Sequence, residues 1–345
     1  MNTHTDSRPS PASPLPPTPT RPGRGRKILM AVLLVLALVV GGVLAGGAWL
    51  VSSYGHTIGI WWPAPSVQGY GDKVLSLMDQ GLHAKSQEWS DARADATARI
   101  AKATSHEEVD AILTDVVKVA GGKHSFMISA ETAQSVFDEY EAPTTTRDGC
   151  VVTLTLPAYM GTADKGAEYA TTLADALTGD TCGVIVDLRS NGGGDMGPMI
   201  AGLSPLLPDG RVASFKSTDG MTTDVTLNGG AIQGGGSPTD VGRRSKLKVP
   251  VAVLVSERTA SSGEQALLAF RGLDGVKVFG RPTAGYTSVN QVFPLYTGSL
   301  LAMTVGTTVA RTGEEFAEEP IAPDQVVDLE AAPQAAADWI ASQRQ

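Results

Sequence analysis

Three serines, Ser256, Ser261 and Ser262, stand in the run SERTASSGEQALLAFRG at residues 256–272, between an apolar strand-like stretch and an apolar helix-like one. A serine hydroxyl attacks a carbonyl carbon when a base takes its proton and fixed donors hold the oxyanion that forms. Ser261 is the serine best placed for this. It follows VPVAVLVS by a short turn and heads a helix starting near Gly263, so its hydroxyl and the Ser262 N–H meet the positive end of a helix dipole. The same placement suits a plain N-cap, and the local residues leave both roles open. No GxSxG surrounds these serines, so the base and the second oxyanion donor must come from elsewhere in the chain.

A second run with chemical potential is NGGGDMG, residues 191–197, at another strand-to-helix junction. Gly192, Gly194 and Gly197 form a literal G-x-G-x-x-G, the dinucleotide-binding pattern. Polar residues Asp187, Arg189, Ser190 and Asn191 separate the strand from the first glycine, and Asp219 ends no convincing second strand. No Gly-Lys-Ser/Thr follows, so a phosphate loop is excluded. The other use of such a loop is to point backbone N–H groups at a tetrahedral oxyanion. No cofactor is expected on this reading, and no CxxC or Cys/His spacing suggests a metal site.

VIVDLRSNGGG, followed about 70 residues later by VLVSERTASSGEQALLAFRG and then by VFGRPTAGYTSVN, resembles the tail-specific, or C-terminal processing, serine peptidases. The resemblance covers roughly residues 121–326 and implies an α/β, ClpP/crotonase-like serine peptidase core. In that family the nucleophile stands three residues before a glutamate, which maps onto Ser261 with Glu264. Ser262 then supplies one oxyanion N–H, and the glycine loop the other, with Gly193 favoured and Gly192 beside it. The lysine base of most members lies in a GKG about 25 residues after the serine. Here that place reads AGYT, and Tyr286, with an ordinary pKa near 10, is a poor base at neutral pH.

The branch of tricorn-type enzymes and nisin resistance proteins takes its base from a histidine in the N-terminal part of the domain, and GGKHSFM, with His124, resembles that element. Elimination points the same way. Of five histidines, His4 lies in the N-terminal tail, His56 abuts the apolar run, and His83 and His106 fall on or at the ends of exposed helices. Glu318 or Glu319, in FAEEPIAPD, lies where tricorn-type relatives keep an acid, and is the expected orienting group. Asp187 and Arg189 are expected to brace the glycine loop. Nisin resistance proteins share the N-terminal anchor, a helical segment in place of a PDZ domain, the TASS-E motif and TAGYT. They cleave a cationic, lanthionine-containing peptide near its C-terminal end, so the resemblance implies a cationic peptide substrate.

The elements that must position these residues follow from pattern. Residues 1–27 carry seven prolines and almost nothing apolar, and read as a disordered cytoplasmic tail. Ile28–Val51 is a run of 24 residues without a charge, enough to cross a bilayer as a signal-anchor over 28–52; a cleaved signal peptide is the alternative. Arg21, Arg24, Arg26 and Lys27 on its N-terminal side put the tail inside and the remainder outside the cell membrane, with Trp49, Tyr54, Trp61 and Trp62 at the outer interface. Beyond residue 54 the chain holds 22 basic and 35 acidic residues, net −13, which argues against nucleic acid and suits a cationic partner.

Residues 53–120 read as a helical subdomain. In SHEEVDAILTDVVKVAGG, Val109, Ile112, Leu113, Val116 and Val117 keep helical spacing, with Ser105 and Glu108 as a capping box. From residue 121 to 345 strands alternate with helices, which predicts an α/β catalytic domain with parallel strands, the helix DKGAEYATTLADAL starting after an Asp164 cap. Residues 217–246 read as a long surface excursion with room for a hairpin, and PQAAADWIASQ as a final helix packing Trp339 and Ile340 on the core. Cys150 and Cys182 each start a strand, leaving a disulfide or two buried thiols. The function expected from all this is a membrane-anchored extracellular serine endopeptidase with a Ser261–His124 dyad. An envelope protease trimming secreted proteins and a silent peptide-binding scaffold are the alternatives.

Overall fold

Ser66, Ser86 and Ser105 open three helices: α1 (Val67–Met78), α2 (Gln87–Ile100) and α3 (His106–Gly121). Each serine Oγ accepts the N–H three residues on, at 3.1 to 3.2 Å. The return bond from Glu108 goes to Thr104 N–H, at 2.7 Å. The apolar stripes, among them Val74, Leu77, Trp89, Ile100, Leu113 and Val117, share one core, as their spacing predicts. This computed structural model describes residues 47, 49–135 and 140–344. The expected tail 1–27 and most of the apolar run 28–52 lie outside the described residues, among which no helix is long and apolar enough to cross a membrane. Tyr54–Gln345 cluster as one unit.

The strands, in chain order, are β1 (Phe126–Ile128), β2 (Thr144–Asp148), β3 (Val151–Thr155), β4 (Gly183–Asp187), β5 (Gly210–Ser217), β6 (Thr222–Asn228) and β7 (Ala231–Gln233). They continue as β8 (Thr239–Asp240), β9 (Val251–Val255), β10 (Val276–Gly280), β11 (Val289–Pro294), β12 (Leu300–Ala310), β13 (Glu315–Phe316) and β14 (Gln325–Val326). The later helices are α4 (Ala130–Ser135), α5 (Ala163–Asp175), α6 (Met196–Gly202), α7 (Ser262–Leu268) and α8 (Ala332–Ser342).

One sheet has the order β14-β10-β9-β4-β3-β2 and is parallel except for the β2–β3 pair. Its central strands are apolar throughout because both faces are covered. Val184, Val186, Val251, Val253 and Val255 face the core shared with α5, α6 and α7, while Ile185, Ala252 and Leu254 face Ile340 and Ala336 of α8. Trp339 adds a ring contact to Phe279 at 6.0 Å. Asp164 falls in the first turn of α5, where Thr162 is the N-cap. A disulfide joins Cys150 to Cys182, closing the open choice and clamping the starts of the neighbouring strands β3 and β4.

The second sheet corrects the reading of residues 217–246. The hairpin is there, as the β6–β7 pair, but the segment is part of the sheet and not an excursion from it. β5, β6, β7 and β8 form an antiparallel meander that continues through β12 to β1, with β11 and β13 also pairing with β12. Glycines at the turns break the strand pattern locally, but β5 finds its partner β12 about 90 residues later. Helices α1 to α3 pack on this sheet through Phe293, Leu295, Leu301 and Met303.

Candidate active site

The buried strand β9 delivers the serine turn. Ser256 Oγ donates to Arg189 O at 2.6 Å, Thr259 Oγ1 to Leu188 O at 2.8 Å, and Ala260 N–H to Asn191 O at 3.0 Å. These bonds stitch the turn to the glycine loop and force Ser261 to φ 53° and ψ −118°. It is the one non-glycine residue with positive φ among the described residues. Such a backbone costs on the order of 1–3 kcal/mol and persists where its surroundings over-determine it, which is characteristic of functional turns. The Glu264 carboxylate accepts the Ser261 N–H at 2.9 Å, the return half of a capping box. It also accepts Tyr286 N–H (2.7 Å), Gly285 N–H (2.9 Å) and the Thr283 hydroxyl. Burial raises the Glu264 pKa above the ordinary glutamate value, and these donors pull it back.

The glycine loop packs directly on this turn. Asp187 and Arg189 form a bidentate pair, at 2.9 and 2.6 Å, and Arg189 reaches Leu329 O. Asn191 is fully buried: its Nδ2 donates to Leu156 O and Pro157 O, and its Oδ1 accepts Gly193 N–H at 3.0 Å. Gly193 has φ +110°, and a Cβ there would stand 2.8 Å from Ser261 Cβ. Only a glycine lets the loop approach the serine this closely. Ser262 Oγ donates to Gly194 O at 2.6 Å. The N–H groups of Ser262, Gly192 and Gly194 have no acceptor among the described residues, whereas the favoured Gly193 N–H is taken up by Asn191.

His124 follows the glycine pair that ends α3 and is 7% exposed. Its Nδ1 bonds Ser288 Oγ at 2.9 Å, its backbone O accepts from Asn290 Nδ2 at 2.7 Å, and its ring lies edge-on to Tyr286 at 5.1 Å. Burial lowers its pKa to about 4; an acceptor on Ser288 and the Glu318 charge oppose that shift, and Lys123 adds to it. The imidazole is therefore neutral at pH 7, the state a general base requires. In the tautomer that donates Nδ1–H to Ser288, Nε2 carries the free lone pair. Glu264 Oε2 holds both Ser261 N–H and Tyr286 N–H, so the serine and the tyrosine that shields His124 hang from one atom. No hydrogen bond joins the His124 ring to Ser261 Oγ among the described residues. Contacts of this kind are often long before substrate binds.

A family model, peptidase family S41, matches residues 151–327. The chain belongs to peptidase family S41. It is a serine peptidase, 36% identical over 323 residues to the nisin-resistance protein of Lactococcus lactis subsp. lactis, covering 92% of this chain and 98% of that one. A solved lipoprotein from Streptococcus agalactiae is similar at 30% identity and TM-score 0.73, over 81% of this chain and 97% of the other. A peptidase from Parabacteroides merdae ATCC 43184, at 17% identity and TM-score 0.52 over 80% and 97%, shares the fold. The family S41 match takes in the glycine loop and the serine turn; His124 lies before it.

Neither of the two glutamates expected to orient His124 is hydrogen-bonded to its ring among the described residues. Glu318 Oε1 accepts Lys123 N–H at 2.7 Å, and its Oε2 is 3.7 Å from His83 Nε2, so it acts on His124 by charge and not by a hydrogen bond. Glu319 accepts Glu318 N–H at 3.2 Å. The group bonded to the imidazole is Ser288, which the sequence reading did not single out. Its one signal was its place two residues after Tyr286, in the block where other members keep their base.

Proposed function

We propose that this chain is an envelope-anchored serine endopeptidase that cuts cationic antimicrobial peptides of the nisin type, with Ser261 as nucleophile and His124 as general base. The observation that carries the reading is the strained Ser261 backbone, pressed against Gly193 and held by the same Glu264 oxygen that holds Tyr286, whose ring lies against the buried His124 imidazole. His124 Nε2 takes the Ser261 proton as Oγ bonds the peptide carbonyl carbon, and the carbonyl electrons move onto oxygen. Ser262 N–H and a glycine-loop N–H receive that oxyanion. Gly192 and Gly194 have N–H groups left without an acceptor among the described residues and so available for that role, whereas Gly193 is available only if Asn191 releases it. Ser288 keeps Nδ1 protonated, so the imidazolium returns its proton from Nε2 to the leaving amine as the C–N bond breaks. A water then hydrolyses the acyl-enzyme with His124 as base again.

The names of the two similar proteins, a nisin-resistance protein and a lipoprotein, support a place in the cell envelope. Both cysteines of this chain are in the disulfide, so its anchor would be the uncharged run 28–51 and not a lipid on cysteine. The net −13 beyond residue 54 favours a cationic peptide. Incubating the full-length chain in detergent with nisin, and with a neutral control peptide, tests this by mass spectrometry. Cleavage of nisin that disappears in Ser261→Ala is expected. Equal cleavage by Ser261→Ala and the unaltered chain would refute the assignment.

A further inference from the structure

The chain carries no Asp, Glu, Lys or Arg between Lys27 and Asp72. The part of this stretch that follows the run 28–51 folds some apolar side chains inward, Trp61 and Tyr70 among them, but leaves others in solvent. Residues 58–62 alternate: Gly59 lies against Pro294, at the end of β11, and Trp61 turns in to donate its Nε1 to Pro294 O at 3.0 Å and to contact the rings of Tyr70 and Tyr296. Ile58, Ile60 and Trp62 point the other way and are 72%, 47% and 55% exposed. Tyr296 of the β11–β12 turn, next to Trp61, is exposed as well. Ile58 closes a short 3-10 turn and Gly59 is left-handed, and a surface turn of this kind normally shows polar residues to water. Here the outward set is wholly apolar and rimmed by Trp and Tyr, with the His106 ring 5.0 Å from Tyr296 and Asp110 bonded to the neighbouring Thr297.

We propose that this patch, Ile58, Ile60, Trp62 and Tyr296, seats in the headgroup layer of the bilayer and holds the peptidase domain down on the membrane instead of leaving it on a tether. The occupant follows from the sequence: the patch begins seven residues after a 24-residue uncharged run long enough to span a bilayer, and Trp and Tyr are the side chains that favour the water–lipid boundary. The inference rests on the anchored reading of residues 28–51. It also sets a working height. β11 runs from Val289, next to the Ser288 that holds His124, to Pro294 at the patch, and six residues of strand span about 20 Å. The imidazole would thus stand no farther than about one strand length from the lipid surface, where a cationic peptide adsorbed on anionic lipid accumulates.

The test uses the full-length chain in nanodiscs of phosphatidylglycerol and phosphatidylcholine, with an environment-sensitive fluorophore on a single added thiol: Ile58→Cys, Trp62→Cys, Tyr296→Cys, or Val326→Cys in the exposed edge strand β14 of the other sheet. The expected result is a blue shift, and quenching by headgroup-region spin-labelled lipid, at 58, 62 and 296 but not at 326. A chain that co-elutes with the nanodiscs but keeps all four labels equally wet overturns the docking alone. A chain that does not co-elute overturns the anchored reading and the docking with it. Labels at 58, 62 and 296 that are shielded but not quenched by lipid, and become wet on dilution, would assign the patch to a second copy of the chain and overturn the proposal.

Discussion

Replacing Ser261 by glycine should make the protein more stable than replacing it by alanine, while both lose activity. Both substitutions remove the hydroxyl, so they differ only in backbone. At φ 53° and ψ −118° an alanine keeps the strain of the native residue, on the order of 1–3 kcal/mol. Glycine adopts that conformation freely but gives back about 0.5–1 kcal/mol through the greater freedom of its unfolded chain. The difference should be about 1 kcal/mol in favour of glycine, or about 2–4 °C in Tm for a domain of this size. Thermal melts of the two variants at equal concentration, followed by circular dichroism, measure it directly. If Ser261→Gly melts at or below Ser261→Ala, the turn is unstrained and the forced presentation of the hydroxyl is refuted.

Because His124 is held neutral to about pH 4 in the fold but charges near 6.5 when unfolded, protons favour the unfolded chain between those values, and stability falls as pH falls through that window. The loss should approach about 3 kcal/mol at pH 4 and be absent in His124→Gln, read from urea midpoints at stepped pH. The same depressed pKa places the acid limb of kcat/KM below pH 5; a limb at 6.5 in the free enzyme would show an exposed imidazole. Glu264→Gln turns an NH2 toward one pair of the donors that now face a carboxylate, and should cost about 3–5 kcal/mol together with most of kcat, measured by melts and peptide turnover. Replacing Cys150 and Cys182 by serine reopens a loop of sequence separation 32, and the urea midpoint should report a loss of about 3–4 kcal/mol.

What the sequence disclosed, and what it hid, divides by the range of the interaction. CVVTLTL, CGVIVDL and VPVAVLVS read as buried parallel strands because both faces of that sheet are covered, so most of their positions are apolar. The helices announced themselves through period-3.6 stripes and, for α3, the Ser105 cap, while the Ser66 and Ser86 caps emerged only in the structure. The meander at 210–240 did not, because its strands alternate with glycine-rich turns and gain their partner only from β12. In the site, Ser261, Glu264 and the glycine loop lie in contiguous motifs. Ser288 meets His124 across 164 residues, and Asn191 closes over Gly193 N–H by a side chain whose orientation no spacing encodes. The glutamates 318 and 319 fell close in space, yet their carboxylates turn to backbone N–H groups instead of the imidazole.

The central claim is that the Ser261 hydroxyl is a nucleophile activated by His124. Labelling the full-length chain with a fluorophosphonate probe, and locating the adduct by peptide mass spectrometry, tests it most directly. The account predicts one adduct, on Ser261, formed on the order of 10³-fold more slowly in His124→Gln. An adduct on another residue, or an unchanged labelling rate in His124→Gln, would contradict it.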